Sequence, residues 1–117
     1  MANKFKAPTL AEITYTYLGL HKQRVRQADY EKVEQAFVKA LTRVRNSEDI
    51  RAALALDSAR KLPVQMKSPA YERLLVLDGR TPALLREYAQ EMYDYGAEWT
   101  HYADMLWDEA KALEDPS

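Results

Sequence analysis

Three observations predict an all-α protein of about five helices, arranged as an antiparallel bundle or as stacked helical hairpins, with a long C-terminal helix. Large apolar residues recur three and four apart through most of the chain, the spacing of a helix buried along one face. Residue pairs that open helices, Thr9 with Glu12, Ser68 with Pro69 and Thr81 with Pro82, precede these periodic runs. One fragment, Arg73 to Gly79 (RLLVLDG), reads as a buried strand, but no other segment offers it a partner.

The strongest periodicity lies at the C-terminal end. Leu85, Tyr88, Met92, Tyr95, Trp99, Tyr102, Leu106, Glu109 and Leu113 alternate at three and four, and only Glu109 is polar. The phase runs through Gly96, which predicts one helix over residues 82–113, about 45–50 Å long. A hinge at Tyr95-Gly96 is the alternative, because an internal glycine weakens a helix by about 0.5–1 kcal/mol relative to alanine. Thr81 reads as its N-cap, Pro82 as its first residue and Pro116 as its stop.

The other elements follow in order. Residues 1–8 read as a mobile arm and residues 9–117 as a single helical domain. A first helix is expected from Leu10 to about Gln27 with Leu10, Ile13, Tyr17 and Leu20 inward. A second runs from Tyr30, capped by Asp29, to about Arg45, with Val33, Phe37, Leu41 and Val44 inward. A third runs from Glu48, capped by Ser47, to about Lys61, with Ile50, Ala53 and Leu54 inward. The connector LPVQMKS carries Leu62, Val64 and Met66 and should lie along the core. A fourth helix opens at Ser68-Pro69 and closes at Gly79.

With 117 residues and no cysteine, the chain is one domain that excludes disulfides, thiolate metal sites and cysteine nucleophiles. No stretch approaches the ~20 apolar residues of a membrane span, and MANKFKAPTL has no signal-peptide run, so a soluble cytoplasmic protein is expected. Glycine occurs only at 19, 79 and 96, too scattered for a phosphate-binding loop. Residues 1–60 hold eleven Lys/Arg against seven Asp/Glu, and residues 61–117 hold six against eleven. The acidic half either neutralises the basic half internally or faces a separate partner.

Three functions fit these patterns. The leading one is a non-enzymatic module that binds another protein, or a second copy of itself, as an accessory subunit, regulator or inhibitor. Tyr88, Tyr95, Trp99, Tyr102 and Trp107 would be the ring anchors, and Glu87, Glu91, Asp94 and Glu98, on one helix face, would steer the partner. The second is a nucleic-acid-binding protein using Lys22, Arg24, Arg26, Lys39, Arg43, Arg45 and Arg51 on phosphates. The third is a Mg²⁺-dependent nucleotide phosphohydrolase holding the ion between Glu31/Glu34 and Glu91/Asp94. The leading reading needs no metal and no cofactor. A Glu98-x-x-His101 pair has di-iron spacing, but no second copy of it exists in the chain.

Overall fold

Four of the helix starts among the described residues can be traced to a specific satisfied backbone group. In the computed structural model, which describes residues 7–58 and 60–115, Thr9 accepts from the Glu12 N–H at 3.1 Å and Glu12 accepts from the Thr9 N–H at 2.9 Å, so the expected capping box opens α1 (Leu10–Leu20). The Asp29 carboxylate accepts from the Arg26 N–H at 3.0 Å. It thus works from the third helical position, and α2 (Gln27–Leu41) begins earlier than Tyr30. Arg26 lies in extended backbone, and α1 ends at Leu20 rather than near Gln27. Asn46, not Ser47, caps α3 (Ser47–Ala55), accepting from the Asp49 N–H at 3.1 Å.

The connector after α3 departs most from expectation. It is helical: α4 runs from Val64 to Asp78 with Pro69 inside it. An internal proline removes one helical hydrogen bond and costs about 3 kcal/mol. The turn before it persists because Met66, Ala70, Tyr71 and Leu74 are all buried on one face and Leu62 is buried just ahead of it. Gly79, at φ +92°, ends the helix as expected.

Thr81 accepts from the Leu84 N–H at 3.2 Å and opens α5 (Pro82–Asp94) at the predicted place. The single helix over 82–113 is not formed. At Gly96 the backbone takes φ +116° and ψ −174°, a conformation open in practice only to glycine. A 3₁₀ turn, Ala97–Trp99, then leads into α6 (Thr100–Glu114). The C-terminal helical segment is therefore long, 97–114, but it folds back on α5. The arm expected over 1–8 lies, up to residue 6, outside the described residues, as does Pro116.

α1 packs on α2 and α3, and these two pack on α4, closing a four-helix ring; α5 rests on α4, and α6 lies against α5 in the most extensive contact of the molecule. The result is a slab of 57 × 36 × 20 Å. Its radius of gyration, 15.8 Å, exceeds the ~13 Å of a spherical domain of this length. Phe37, Ile50, Leu62, Met66, Leu74, Leu85, Tyr88 and Met92 are fully enclosed. Among the described residues there are no strands, and no helix is long and apolar enough to cross a membrane.

The seam is buried on α5 but runs out of partner at the end of α6: Leu85 is inaccessible and Leu113 is 49% exposed. Leu85→Ala is expected to cost about 2–5 kcal/mol in urea unfolding, whereas Leu113→Ala should change stability by less than about 0.5 kcal/mol. Equal losses at the two positions would contradict this packing.

Candidate functional site

α5 carries Tyr88 and three of the four acidic residues singled out for partner binding, and it is the middle layer between α3/α4 and α6. Its acidic row faces α3, α4 and the loop between them. Glu87 pairs with Arg51, Asp94 with Arg60, and Glu91 with Lys67 at 3.4 Å. The basic residues come from α3, the loop after it, and α4; the pairs of Arg51 and Arg60 join the basic half of the chain to the acidic half, whereas Lys67 belongs to the acidic half itself. Glu87, Glu91 and Asp94 are thereby engaged within the chain, and only Glu98 of the predicted steering row forms no ion pair among the described residues.

Lys67 is the centre of this arrangement. It is only 5% exposed, and its ammonium also lies 3.4 Å from Asp57, which is itself buried. The other bonds of the Asp57 carboxylate come from the N–H groups of Lys61, at 2.5 Å, and Leu62, at 3.1 Å. The chain wraps around that carboxylate. Arg60 sits at φ +54° in this turn, a left-handed conformation unfavourable for a residue with a Cβ. A cleft of about 380 Å³ opens here between Arg51, Asp57, Arg60, Lys67, Glu87 and Glu91. Its three cations and its carboxylates already compensate each other, so the cleft ties α3, α4 and α5 together.

The aromatic stripe is organised by hydrogen bonds. Tyr88, fully buried, stacks on Tyr71 with centroids 5.2 Å apart and meets Tyr102 edge-on at 5.6 Å. Tyr102 donates its hydroxyl proton to Glu72 at 2.6 Å. Each hydroxyl has one proton, so Tyr88 donates to Tyr102 across 3.2 Å, and Ser68 donates to Tyr88 across 2.6 Å. Tyr71 donates to Glu87 at 2.8 Å, and Tyr95 to the Leu62 carbonyl. Burial, followed by these bonds to carboxylates, raises the Tyr71 hydroxyl well above its ordinary range; burial does the same at Tyr88 and Tyr95. Tyr17, buried near Glu34, is pushed up to about 12.

Five ring anchors were predicted, and their surroundings differ. Tyr88 belongs to the core. Tyr95, Trp99 and Tyr102 are half-buried and pack against it. Trp107 is 41% exposed, with the Arg86 guanidinium 5.7 Å from its ring. Two residues that pattern reading passed over complete the picture. Met105, 56% exposed, interrupts an otherwise polar outward stripe between His101 and Asp108, which is the signal that marks it. Lys67 occupies a position within an apolar stripe of α4, between Met66 and Ala70-Tyr71, which is the signal for a buried, partnered cation.

The remaining expectations separate in space. Lys22, Arg24 and Arg26 precede α2, while Arg43 and Arg45 follow it, with Lys39 in its last turn. The 15 residues of α2 put roughly 22 Å between the two groups, and Arg51 is engaged by Glu87. The basic residues do not form one patch. Among the described residues no group of three His, Asp or Glu side chains is placed to hold a metal ion. Glu34 lies 3.5 Å from the Tyr17 hydroxyl, whereas Glu91 and Asp94 are bound to Lys67 and Arg60. Comparison with protein-family models, with curated proteins and with solved structures finds no match.

Removing Lys67 leaves two carboxylates facing each other without a cation. Lys67→Met is expected to destabilise the fold by about 3–5 kcal/mol in urea titration; a loss below about 1 kcal/mol would mean that water already solvates the pair.

The surface pairs predict a pH dependence. The bidentate bond from Arg80, at 2.6 and 2.7 Å, holds the Glu109 carboxyl below its usual range, and the bond from Arg60 does the same for Asp94. A carboxyl whose folded pKa lies below its unfolded one contributes stability above the unfolded value, about 4.3 for Glu, and loses it as pH falls through the folded value. Arg80→Gln should therefore lower stability at pH 7 by about 0.2–1 kcal/mol, a modest loss because the pair is half-exposed. The thermal melting curves of wild type and variant should converge below about pH 3.

Proposed function

We propose that the protein is a non-enzymatic helical module that binds another protein through the outward surface of α6. The observation that carries this reading is the contrast between α5 and α6. On α5 the acidic row and the ring hydroxyls are engaged by partners within the chain. On α6 the inward residues Ala103, Leu106 and Ala110 are buried, while Met105 lies on the outermost stripe, Trp107 along one flank and Leu113 near the C-terminal end, all accessible.

The electrostatics agree. Glu98 and Asp108 form no ion pair among the described residues, and Asp104 accepts a hydrogen bond from Tyr93 while remaining exposed. Apolar and aromatic side chains amid unneutralised carboxylates suit a partner with an apolar pocket rimmed by Lys or Arg. Met adapts to irregular pockets, and Trp is over-represented among residues that dominate binding energy. The role of accessory subunit, regulator or inhibitor fits such a surface, because all of its chemistry is recognition.

A tagged pull-down from lysate, run with nuclease and at low and high salt, tests this. Wild type should retain a stoichiometric protein after nuclease. Met105→Lys and Trp107→Ala, each verified as folded by circular dichroism, should lower its recovery at least about tenfold. Retention unaffected by both substitutions would overturn the assignment to α6. Capture that disappears with nuclease and depends on Arg24 and Arg26 would replace it with the nucleic-acid reading.

A further inference from the structure

The inner face of α6 carries a second message. The turn that folds α6 back on α5 rests on one residue, Gly96, at φ +116°, and a Cβ placed there would meet nothing within 4 Å. The turn is seated by Tyr95, which donates to the Leu62 carbonyl and packs with Trp99 against the core, but at Gly96 itself only the glycine backbone permits it. The apolar repeat nevertheless keeps its phase from Leu85 through Met92, Tyr95 and Trp99 to Leu106 and Leu113, with Glu109 its one polar member. A turn that only ended a helix would leave that phase free to reset. The chain therefore supports two arrangements of α5 and α6: folded back as a hairpin, or continuous as one helix of about 33 residues and 45–50 Å.

In the continuous arrangement α6 leaves its own α5, and the surface it covered, including Ala89, Met92 and Tyr88, requires a replacement of the same shape. A second copy of the chain supplies one. We propose that the protein forms a dimer by exchange of α6, in which two straightened α5–α6 helices lie antiparallel and each α6 docks on the other copy's α5.

The contacts of α6 with α4, α5 and the loop before α5 are preserved in such an exchange, now between copies. These are the Tyr88–Tyr102 bond, Tyr102 to Glu72, Tyr93 to Asp104, Arg80 to Glu109 and the Arg86 pairing with Glu114. What changes is the hinge. Residues 95–99 exchange a 3₁₀ turn for regular helix, and Gly96 leaves a conformation that other residues rarely adopt. The interface uses the inner face of α6, so it stands independently of the heterologous binding proposed for the outer face.

The deciding residue is Gly96. Alanine there is strained in the hairpin and favoured in the helix, and each dimer contains two copies of the substitution. Gly96→Ala should therefore strengthen dimerisation at least about 100-fold. Sedimentation equilibrium should show Gly96→Ala as a dimer at concentrations where wild type is mostly monomer, with helical content by circular dichroism equal or slightly higher. A folded Gly96→Ala that remains monomeric at the highest concentration tested overturns the proposal.

A second experiment distinguishes exchange from simple face-to-face association and needs no change at the hinge. Arg80→Glu places two carboxylates at 80 and 109 of one chain, and Glu109→Arg places two guanidinium groups there. In a hairpin each variant repels itself. In the exchanged heterodimer both 80–109 pairs are of opposite charge. After the two variants are mixed and incubated at high concentration, more dimer is expected than in either variant alone, containing both chains by native mass spectrometry. Mixing without heterodimer enrichment overturns the exchange, even if Gly96→Ala dimerises.

Discussion

The Lys67 ammonium sets the geometry of this molecule. A cation removed from water must find opposite charge at close range, since the desolvation penalty reaches several kcal/mol per ion. Here the two carboxylates come from different elements, Asp57 after α3 and Glu91 on α5. Asp57 is fixed in turn by two backbone N–H groups of the loop that follows it. Once Lys67 is buried on α4, α5 can lie only with Glu91 inward. At helical spacing that also turns Glu87 and Asp94 toward α3 and the Arg60 loop. The left-handed conformation of Arg60 is tolerated because the turn around Asp57 and the pair with Asp94 both require it.

With α5 rotated in this way, its aromatic residues have little choice. Tyr88 is carried onto Tyr71, and its hydroxyl reaches the narrow space between Ser68 and Tyr102. The proton order Ser68 to Tyr88 to Tyr102 to Glu72 ends on a carboxylate, the one member of the series that only accepts. This explains why the seam uses tyrosine where a purely apolar contact would be served by leucine: α4, α5 and α6 are linked by directional bonds as well as by area. A satisfied internal network of this kind specifies a packing more sharply than apolar contact alone. It also withdraws Tyr88 and Tyr102 from any role as free anchors.

Much of this was legible in the sequence. Thr9 with Glu12 and Thr81 with Pro82 marked two helix starts correctly, and the seam identified Leu85, Tyr88 and Met92 as buried. The opposite net charges of the two halves are met by two pairs between them, Arg51 with Glu87 and Arg60 with Asp94, and charge counts cannot say which carboxylate meets which cation. Gly96 was misread for a physical reason. An apolar repeat reports which face is inward on each helix, and two antiparallel helices both facing inward satisfy it as well as one straight helix does. α4 was begun too late because Pro69 imitates a first helical residue, and only the burial of Met66 and Lys67 carries the helix back to Val64. The ring hydroxyls were invisible as internal donors because their acceptors, Glu72, Glu87 and the Leu62 carbonyl, lie 30, 16 and 33 residues away.

What remains after these internal demands are met is concentrated on one helix. The acidic excess of the second half of the chain is cancelled on α5 and left standing on the outer side of α6, where Met105 and Trp107 are also accessible. That outer side is the same whether α6 covers its own α5 or that of a second copy, because the exchange involves only the inner face. An exchanged dimer thus presents the outer stripe twice on one body, and a partner with two binding patches would gain effective concentration without any new contact. The hinge at Gly96 would then set the number of binding surfaces per particle and leave the affinity of each surface unchanged.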